Sequence, residues 1–489
     1  MGKSIKIFMQ ILFSILQIIF FLICSVCLWL LIAIPVIFTY YRFKFYKKTK
    51  NSTLHIGIFH PYCNDGGGGE RVLWAAVKNI FEKYPKTNIV VYTGDVEYSP
   101  EEILSKVQQR FNLNFQGKLE FAYLNHRKWI EPVKYPYFTL LGQSLGSIFL
   151  GMEALSLHQP DLFIDTMGYA FTYPLFKYIG HCKIATYTHY PTITTDMLKI
   201  VSKRVSTYNN RQFVAKSPFL TGGKLIYYKI FAWLYGMVGR TADIVMVNST
   251  WTEQHINELW QQPMSTHCVY PPCAIENLIS IPRDNVDQKG LIKILSIGQF
   301  RPEKNHPLQL RALYQLRGLI SEELWNRVQL VLVGGCRNAE DKRRVKDMED
   351  LCKHLSLENN VVFKLNIPYS ELLKELTEST IGLHAMWNEH FGIGVVECMA
   401  AGLIMVAHKS GGPKTDIIIE TEDSRTGFLA VDDDEYAQVL AFILQMSQKQ
   451  KEKIILAARS SVQRFSEKEF GKQFLRIMDP LLKNVNHSM

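Results

Sequence analysis

The sequence predicts two α/β domains in tandem, each a parallel sheet with helices on both faces, behind an N-terminal membrane helix. Three observations carry this reading. Short apolar runs rich in β-branched residues alternate with longer amphipathic stretches; the alternation breaks at Pro271-Pro272 and resumes near Leu291; and no residue across 7–41 is charged. A chain of 489 residues is long enough for two sizeable cores. Its 47% hydrophobic content and nine scattered cysteines exclude a disordered, collagen-like or disulfide-framework protein.

The uncharged stretch comes first. About 20 apolar residues cross a bilayer, whereas the apolar region of a cleaved signal spans only about 7–15. Arg42, Lys44, Lys47, Lys48 and Lys50 follow the stretch, Lys3 and Lys6 precede it, and no acid lies within 1–50. The positive-inside bias then places the remaining chain in the cytosol. These basic residues supply most of the formal +10, so the body is nearly balanced and no nucleic-acid partner is expected. In that compartment the sequons at Asn51, Asn248 and Asn486 stay unmodified.

The first domain is expected over 51–270, with parallel strands at 54–59, 88–92, 161–165, 183–188 and 243–247. A linker is expected over 271–290. The second domain follows over 291–465, with strands at 292–298, 328–333, 361–365, 381–385 and 404–407. A C-terminal helix over 466–489 is free to cross back to the first domain. Two apolar stretches stand apart. Residues 135–152, interrupted by Pro136, Gly142 and Gly146, read as a buried or interfacial helix. Residues 225–238, with Trp233 and several other aromatics, suit either a lipid headgroup layer or a core.

Two α/β domains in tandem place a cleft between the carboxyl ends of their sheets, the usual ligand site of such proteins. After the first strand comes His60-Pro61-Tyr62-Cys63-Asn64-Asp65, then Gly66 to Gly69, then Glu70-Arg71. Glycines ahead of a helix let a phosphate or sugar approach backbone N–H groups. The second domain's first strand ends in Gly298-Gln299-Phe300-Arg301-Pro302-Glu303-Lys304-Asn305. Cations there oppose the dipole of the next helix and call for an anionic partner. Further on, Asn388-Glu389-His390-Phe391-Gly392-Ile393-Gly394 precedes Glu397. The free N–H groups of that turn suit a diphosphate, Glu397 a ribose diol, and Glu389 a sugar hydroxyl. Asp432-Asp433-Asp434 reads as a helix cap rather than a metal site.

Glu389 and Glu397 at this spacing, with the glycine loop and the Arg301/Lys304 pair, resemble the retaining nucleotide-sugar glycosyltransferases of the two-Rossmann (GT-B) fold. The motif around His60 and that around Gly298 resemble, within them, the GDP-mannose-dependent enzymes that extend dolichol-pyrophosphate-linked oligosaccharides on the cytosolic face of the endoplasmic reticulum. The resemblance implies that Gly67 and Gly68 lie against the donor diphosphate and sugar. It implies that Arg301 and Lys304 neutralise the leaving pyrophosphate, that Gly392, Ile393 and Gly394 hold the diphosphate, and that Glu397 binds the ribose and Glu389 the mannose. His189, in Tyr187-Thr188-His189-Tyr190-Pro191, matches a sugar-contacting histidine. Many members carry Arg where this chain has Gln299, so Arg301 stands in for it. No metal or other cofactor is implied, and same-face attack through an oxocarbenium-like state is the expected mechanism. Implied partners are GDP-mannose, the dolichol-linked acceptor, the endoplasmic reticulum membrane and other mannosyltransferases of the pathway. Two other readings stay open on the residues alone: a different lipid glycosyltransferase of this fold, or a catalytically silent membrane scaffold.

The basic stretch 192–216, with Lys203 and Arg204, and the neighbouring Trp233 are expected to meet the acceptor headgroup and membrane. Reversing Lys203 and Arg204 to Glu should weaken use of the lipid acceptor more than donor binding. Steady-state kinetics with each substrate varied in turn checks this, and equal losses would refute it.

Overall fold

In the computed structural model, residues 2–46, 53–194, 196–197, 218–283 and 290–487 are described. The first sheet contains β1 (His55–Phe59), β2 (Asn88–Thr93), β3 (Lys118–Tyr123), β4 (Leu162–Asp165), β5 (Lys183–Thr188), β6 (Ile244–Val247) and β7 (Thr266–Cys268). They lie in the order β3-β2-β1-β4-β5-β6-β7, all parallel. The second sheet contains β8 (Ile292–Ile297), β9 (Val328–Gly334), β10 (Val361–Leu365), β11 (Ser379–His384), β12 (Ile404–His408) and β13 (Gly427–Ala430). Their order is β10-β9-β8-β11-β12-β13, again parallel.

Three strands escape the sequence pattern for physical reasons. At the sheet edge, β3 alternates Lys118 and Glu120 with apolar residues, so it lacks the continuous apolar run of a central strand. Only three residues form β7, and β13 is four residues opening on Gly427.

Helices of the first domain are α1 (Gly2–Lys44), α2 (Gly68–Lys83), α3 (Pro100–Phe111), α4 (Thr139–Leu157), α5 (Pro218–Gly239) and α6 (Thr250–Trp260). The second domain adds α7 (His306–Leu316), α8 (Ala339–His354), α9 (Tyr369–Glu378), α10 (Ile393–Ala401), α11 (Asp433–Gln445) and α12 (Gln448–Ser461), and the chain ends in α13 (Glu467–His487). Asp432 caps α11 by accepting from Glu435 N–H at 3.0 Å.

The described outer part of α1 exposes Phe20, Phe21, Trp29 and Leu31, while its end docks on the first domain. There Phe45 is buried, Gln159 donates to its carbonyl at 2.8 Å, and Arg42 donates to Tyr178 O at 2.6 Å. Although α4 has the length and hydropathy of a membrane span, it packs on protein along one side. Ser144, Gly146, Leu150, Gly151 and Ala154 are buried, and a Cβ on Gly146 would lie 1.9 Å from Trp129 O. The helix α5 divides likewise: Phe231 and Tyr235 are buried, whereas Trp233 is 62% exposed. Its inner face is core and its outer face remains open.

In the expected linker, the described residues 271–283 do not act as a free tether, because Cys273, Ile275, Leu278 and Ile281 are buried in the second domain's core. Instead, α13 crosses between domains. Its Phe470, Phe474, Met478 and Leu482 join Val72, Trp74, Val77 and Ile80 of α2 in the first domain's core. Lys78 pairs with Glu467 at 2.8 Å, and Tyr84 donates to Asp479 at 2.7 Å.

Truncating Phe474 to Ala should therefore cost about 3–5 kcal/mol and be felt in the first domain. Hydrogen exchange on the full chain should show the added opening in α2 and β1, not in the second sheet.

Candidate active site

In each sheet the order reverses between strands that are not consecutive: β1 lies beside β4, and β8 beside β11. Loops leaving the carboxyl ends of such strands diverge and open a crevice. The glycine loop follows β1, Arg301 and Lys304 follow β8, and the 385–397 segment follows β11. His189 leaves the end of β5.

In the second domain, Lys304 Nζ donates to Glu389 Oε2 at 2.6 Å and lies 3.2 Å from Met386 Sδ. Because β8 and β11 are paired, residues far apart in sequence meet at adjacent strand ends. The same Glu389 oxygen is 3.1 Å from His384 Nε2, and Oε1 accepts from His390 N–H at 3.2 Å. Burial alone would raise the Glu389 pKa, but the His384 hydrogen bond and the Lys304 charge hold it well below the usual glutamate range. Tyr436 fixes His384 by donating to its carbonyl at 2.8 Å. Arg301 is half-exposed, with its nearest acid Glu303 at 3.7 Å.

The turn after Glu389 is shaped by glycine. Gly392 takes φ +114 as the N-cap of α10, and a Cβ on Gly394 would meet nothing within 4 Å. Val395 and Val396 N–H donate to Gly392 O, which leaves the Ile393 and Gly394 N–H groups at the start of α10 for an anion. Glu397 lies beyond the first turn. Burial raises its pKa, partly offset by Arg71, and its carboxylate has no hydrogen bond or ion pair among the described residues.

In the first domain, α2 begins at Gly68, two residues ahead of the expected Glu70-Arg71 start, with Gly67 as N-cap. Glu70 turns back to accept from Gly67 N–H. His60 bridges Glu70 at 3.2 Å and Thr166 at 2.7 Å. Although burial would raise Glu70, these hydrogen bonds hold its pKa below the ordinary value. Burial, followed by the neighbouring His60, pushes His189 down to about 4, so its imidazole is neutral at physiological pH. His189 Nε2 is shielded from solvent without a partner, and a Cβ on Gly69 would lie 3.6 Å from it. Such an orphan polar atom costs about 1–3 kcal/mol, which a bound hydroxyl would offset. Asn248 supports His189 by donating to its carbonyl at 2.9 Å, so this sequon's amide is occupied inside the fold.

The domains meet across this crevice. A Cβ on Gly68 would lie 2.7 Å from Ile393 Cδ1, which puts the two helix N-termini face to face. His390 stacks on Tyr190 with centroids 4.0 Å apart and accepts from Ser249 Oγ at 2.5 Å. Asn388 donates to Asp196 at 3.1 Å, and Thr250 N–H donates to Asp416 at 3.1 Å.

The expected site residues Gly67, Gly68, His189, Lys304, Glu389, Gly392, Ile393, Gly394 and Glu397 thus line one crevice, with Arg301 at its edge. Trp233 lies on the outer face of α5, and Lys203 and Arg204 fall outside the described residues. One expectation changes in detail: the anion that meets Lys304 within the chain is Glu389 itself. Sequence reading missed His384, a lone histidine at a strand end. It also missed Gly411 and Gly412, which pass beneath the Glu389 loop. A Cβ on Gly411 would come 2.2 Å from Glu389 O, and Gly412 N–H donates to that oxygen at 2.8 Å. The Gly-Gly-Pro run after β12 was the available signal. Among the described residues, no group of three or more His, Cys, Asp or Glu is arranged to hold a metal ion.

Two facing parallel-sheet domains with these loops define a glycosyltransferase of the GT-B fold. A family model described as "Glycosyl transferases group 1" matches residues 280–461, and one described as "ALG11 mannosyltransferase N-terminus" matches 53–260. Solved structures agree on the fold. Sucrose-phosphate synthase from Thermosynechococcus elongatus superposes with TM-score 0.63 at 16% identity, over 88% of this chain and all of that one (100%). HepE from Anabaena, solved with UDP, gives 0.60 at 17% identity over 88% and 100%.

Among curated proteins, the human GDP-Man:Man(3)GlcNAc(2)-PP-Dol alpha-1,2-mannosyltransferase is 51% identical over 437 residues, 89% of each chain. The Dictyostelium discoideum protein of that name is 46% identical over 456 residues, covering 91% of this chain and 89% of the relative. The chain belongs to this mannosyltransferase family.

The contact across the crevice makes a direct prediction. Gly68→Ala should lower transfer about threefold, since the close contact is with the movable end of Ile393, and Ile393→Val, which removes Cδ1, should recover part of the loss in the double variant. Measured kcat/KM values that simply multiply would show that this contact is not the cause.

Proposed function

We propose that this protein transfers mannose in α-1,2 linkage from GDP-mannose to dolichol-pyrophosphate-linked Man3GlcNAc2, and then to the Man4GlcNAc2 product, with retention. The observation that carries the reading is the crevice in which the Lys304–Glu389 pair, the open N-terminus of α10 and unpartnered Glu397 face Gly68 and His189. It is supported by about half identity to the relatives of that name over most of the chain.

In this reading the donor diphosphate lies against the N–H groups of Ile393 and Gly394 and the cations Lys304 and Arg301. Negative charge grows on the diphosphate as the glycosidic bond lengthens, and fixed cations stabilise it where a metal serves in other enzymes. Glu397 accepts from the ribose and Glu389 from a mannose hydroxyl. Neutral His189 offers Nε2 to the sugar from the opposite domain. The acceptor hydroxyl attacks from the face the diphosphate leaves, and a departing diphosphate oxygen takes its proton. No side chain is required as a covalent nucleophile, and no cofactor or metal is needed.

In this reading the apolar helix α1 anchors the chain in the endoplasmic reticulum membrane with the catalytic body in the cytosol, an orientation that the positive flank supports. The exposed face of α5 around Trp233 lies toward the lipid-linked acceptor, and Lys203 and Arg204, outside the described residues, are the cations assigned to its headgroup. Other mannosyltransferases of the pathway are candidate neighbours.

The test is an assay of membranes containing the full chain with labelled GDP-mannose and defined dolichol-linked acceptors. Transfer to Man3GlcNAc2 in α-1,2 linkage is expected, falling at least about a hundredfold in Lys304→Ala and in Glu397→Ala. No transfer to any mannosylated lipid would overturn the function, and transfer surviving both substitutions together would overturn the site.

A further inference from the structure

The Lys304–Glu389 pair poses a problem that the donor must solve. Both residues have ligand roles, yet each holds the other at 2.6 Å. Their side chains are mostly buried, 24% exposed for Lys304 and 13% for Glu389. A buried carboxylate that loses its cation without a replacement is strongly disfavoured. A diphosphate alone can therefore draw Lys304 away only by stranding Glu389. A nucleotide that still carries its sugar supplies the replacement, because a sugar hydroxyl donates to the oxygen that Lys304 vacates.

The remaining contacts fit an exchange of partners. His384 Nε2, at 3.1 Å from the same Oε2, stays when Lys304 leaves, and its backbone is held by Tyr436. The backbone N–H of His390 keeps Oε1 at 3.2 Å. The carboxylate is thus fixed at two points, and the third is exchangeable. On the Lys304 side, the other contact is the weak acceptor Met386 Sδ at 3.2 Å. The Lys304 stem lies over Gly298, where a Cβ would be 3.4 Å from its Cδ, so the ammonium can swing without leaving the strand end.

We propose that this ion pair lets the enzyme distinguish donor from spent nucleotide, with His384 as the positioning residue that keeps Glu389 aimed at the sugar. Donor binding exchanges the Lys304–Glu389 contact for two new ones, ammonium to phosphate and hydroxyl to carboxylate. Once the mannose has moved to the acceptor, Glu389 loses its hydroxyl partner and recaptures Lys304, which weakens the hold on GDP. The inference rests on the GDP-mannose reading and adds a product-release step to it.

Calorimetric titration of the full-length chain in detergent micelles, with GDP and separately with GDP-mannose, tests it. Glu389→Gln removes the charge that competes for Lys304 and should bind GDP about tenfold tighter than wild type, with no gain for GDP-mannose. His384→Leu should weaken GDP-mannose binding about tenfold while leaving GDP binding unchanged. His384→Gln, whose amide can donate from a similar position, should restore the donor. GDP binding no tighter in Glu389→Gln would overturn the exchange. Equal weakening of both ligands in His384→Leu, without rescue by Gln, would assign His384 a merely structural part and overturn its positioning role. UDP serves as the control. If wild type binds GDP no better than UDP, the donor reading fails; if wild type prefers GDP and Glu389→Gln does not tighten it, the exchange alone fails.

Discussion

The second domain's chemistry depends on one pairing, that of β8 with β11, strands separated in sequence by two other strands and their helices. Parallel pairing aligns their carboxyl ends, and the loops that leave those ends carry Lys304 and Glu389 into contact. Buried opposite charges are stable only as partners, so the pairing fixes both side chains. With Glu389 fixed, Gly392 can turn the chain at φ +114 into α10, and the open N–H groups and Glu397 follow at set positions. Gly411 and Gly412, arriving from β12, close the loop from below because no larger residue would fit.

The first domain contributes a different kind of group. Its glycine loop and His189 carry no net charge toward the crevice, and Glu70 spends its carboxylate on His60 and Gly67. One side of the crevice is therefore committed to the Lys304–Glu389 pair, and the other offers mainly neutral donors and acceptors close to the backbone, with Arg71 as a cation felt by Glu397. His390, stacked on Tyr190 and bonded to Ser249, joins the sides one residue from Glu389. A change in how the domains sit is transmitted directly to the carboxylate assigned to the sugar.

Much of this was legible in the sequence because it rests on local patterns. Central strands are continuous apolar runs, and the Glu389–Glu397 segment carries glycines and acids at a spacing that few structural demands produce. What was not legible is relational. Nothing local marks His384 as a neighbour of Glu389, since that contact follows from the turn at Asn388, which adopts φ 52. The sequence placed Lys304 before an anion without showing that the chain supplies one. The edge strand β3 was hidden by its alternating polar residues, and the short β7 and β13 by their length.

The crossing of α13 has a consequence for how the protein is made. The first domain is synthesised early, yet Phe470, Phe474, Met478 and Leu482, which complete its core beside α2, follow the whole second sheet in the chain. Until then α2 lacks the apolar cover that α13 supplies, and the nascent chain must carry that exposed surface through synthesis of the entire second domain. Completion of the first domain is thus coupled to translation of α13, and an enzyme that lost this helix would lack a finished first domain rather than a dispensable appendage.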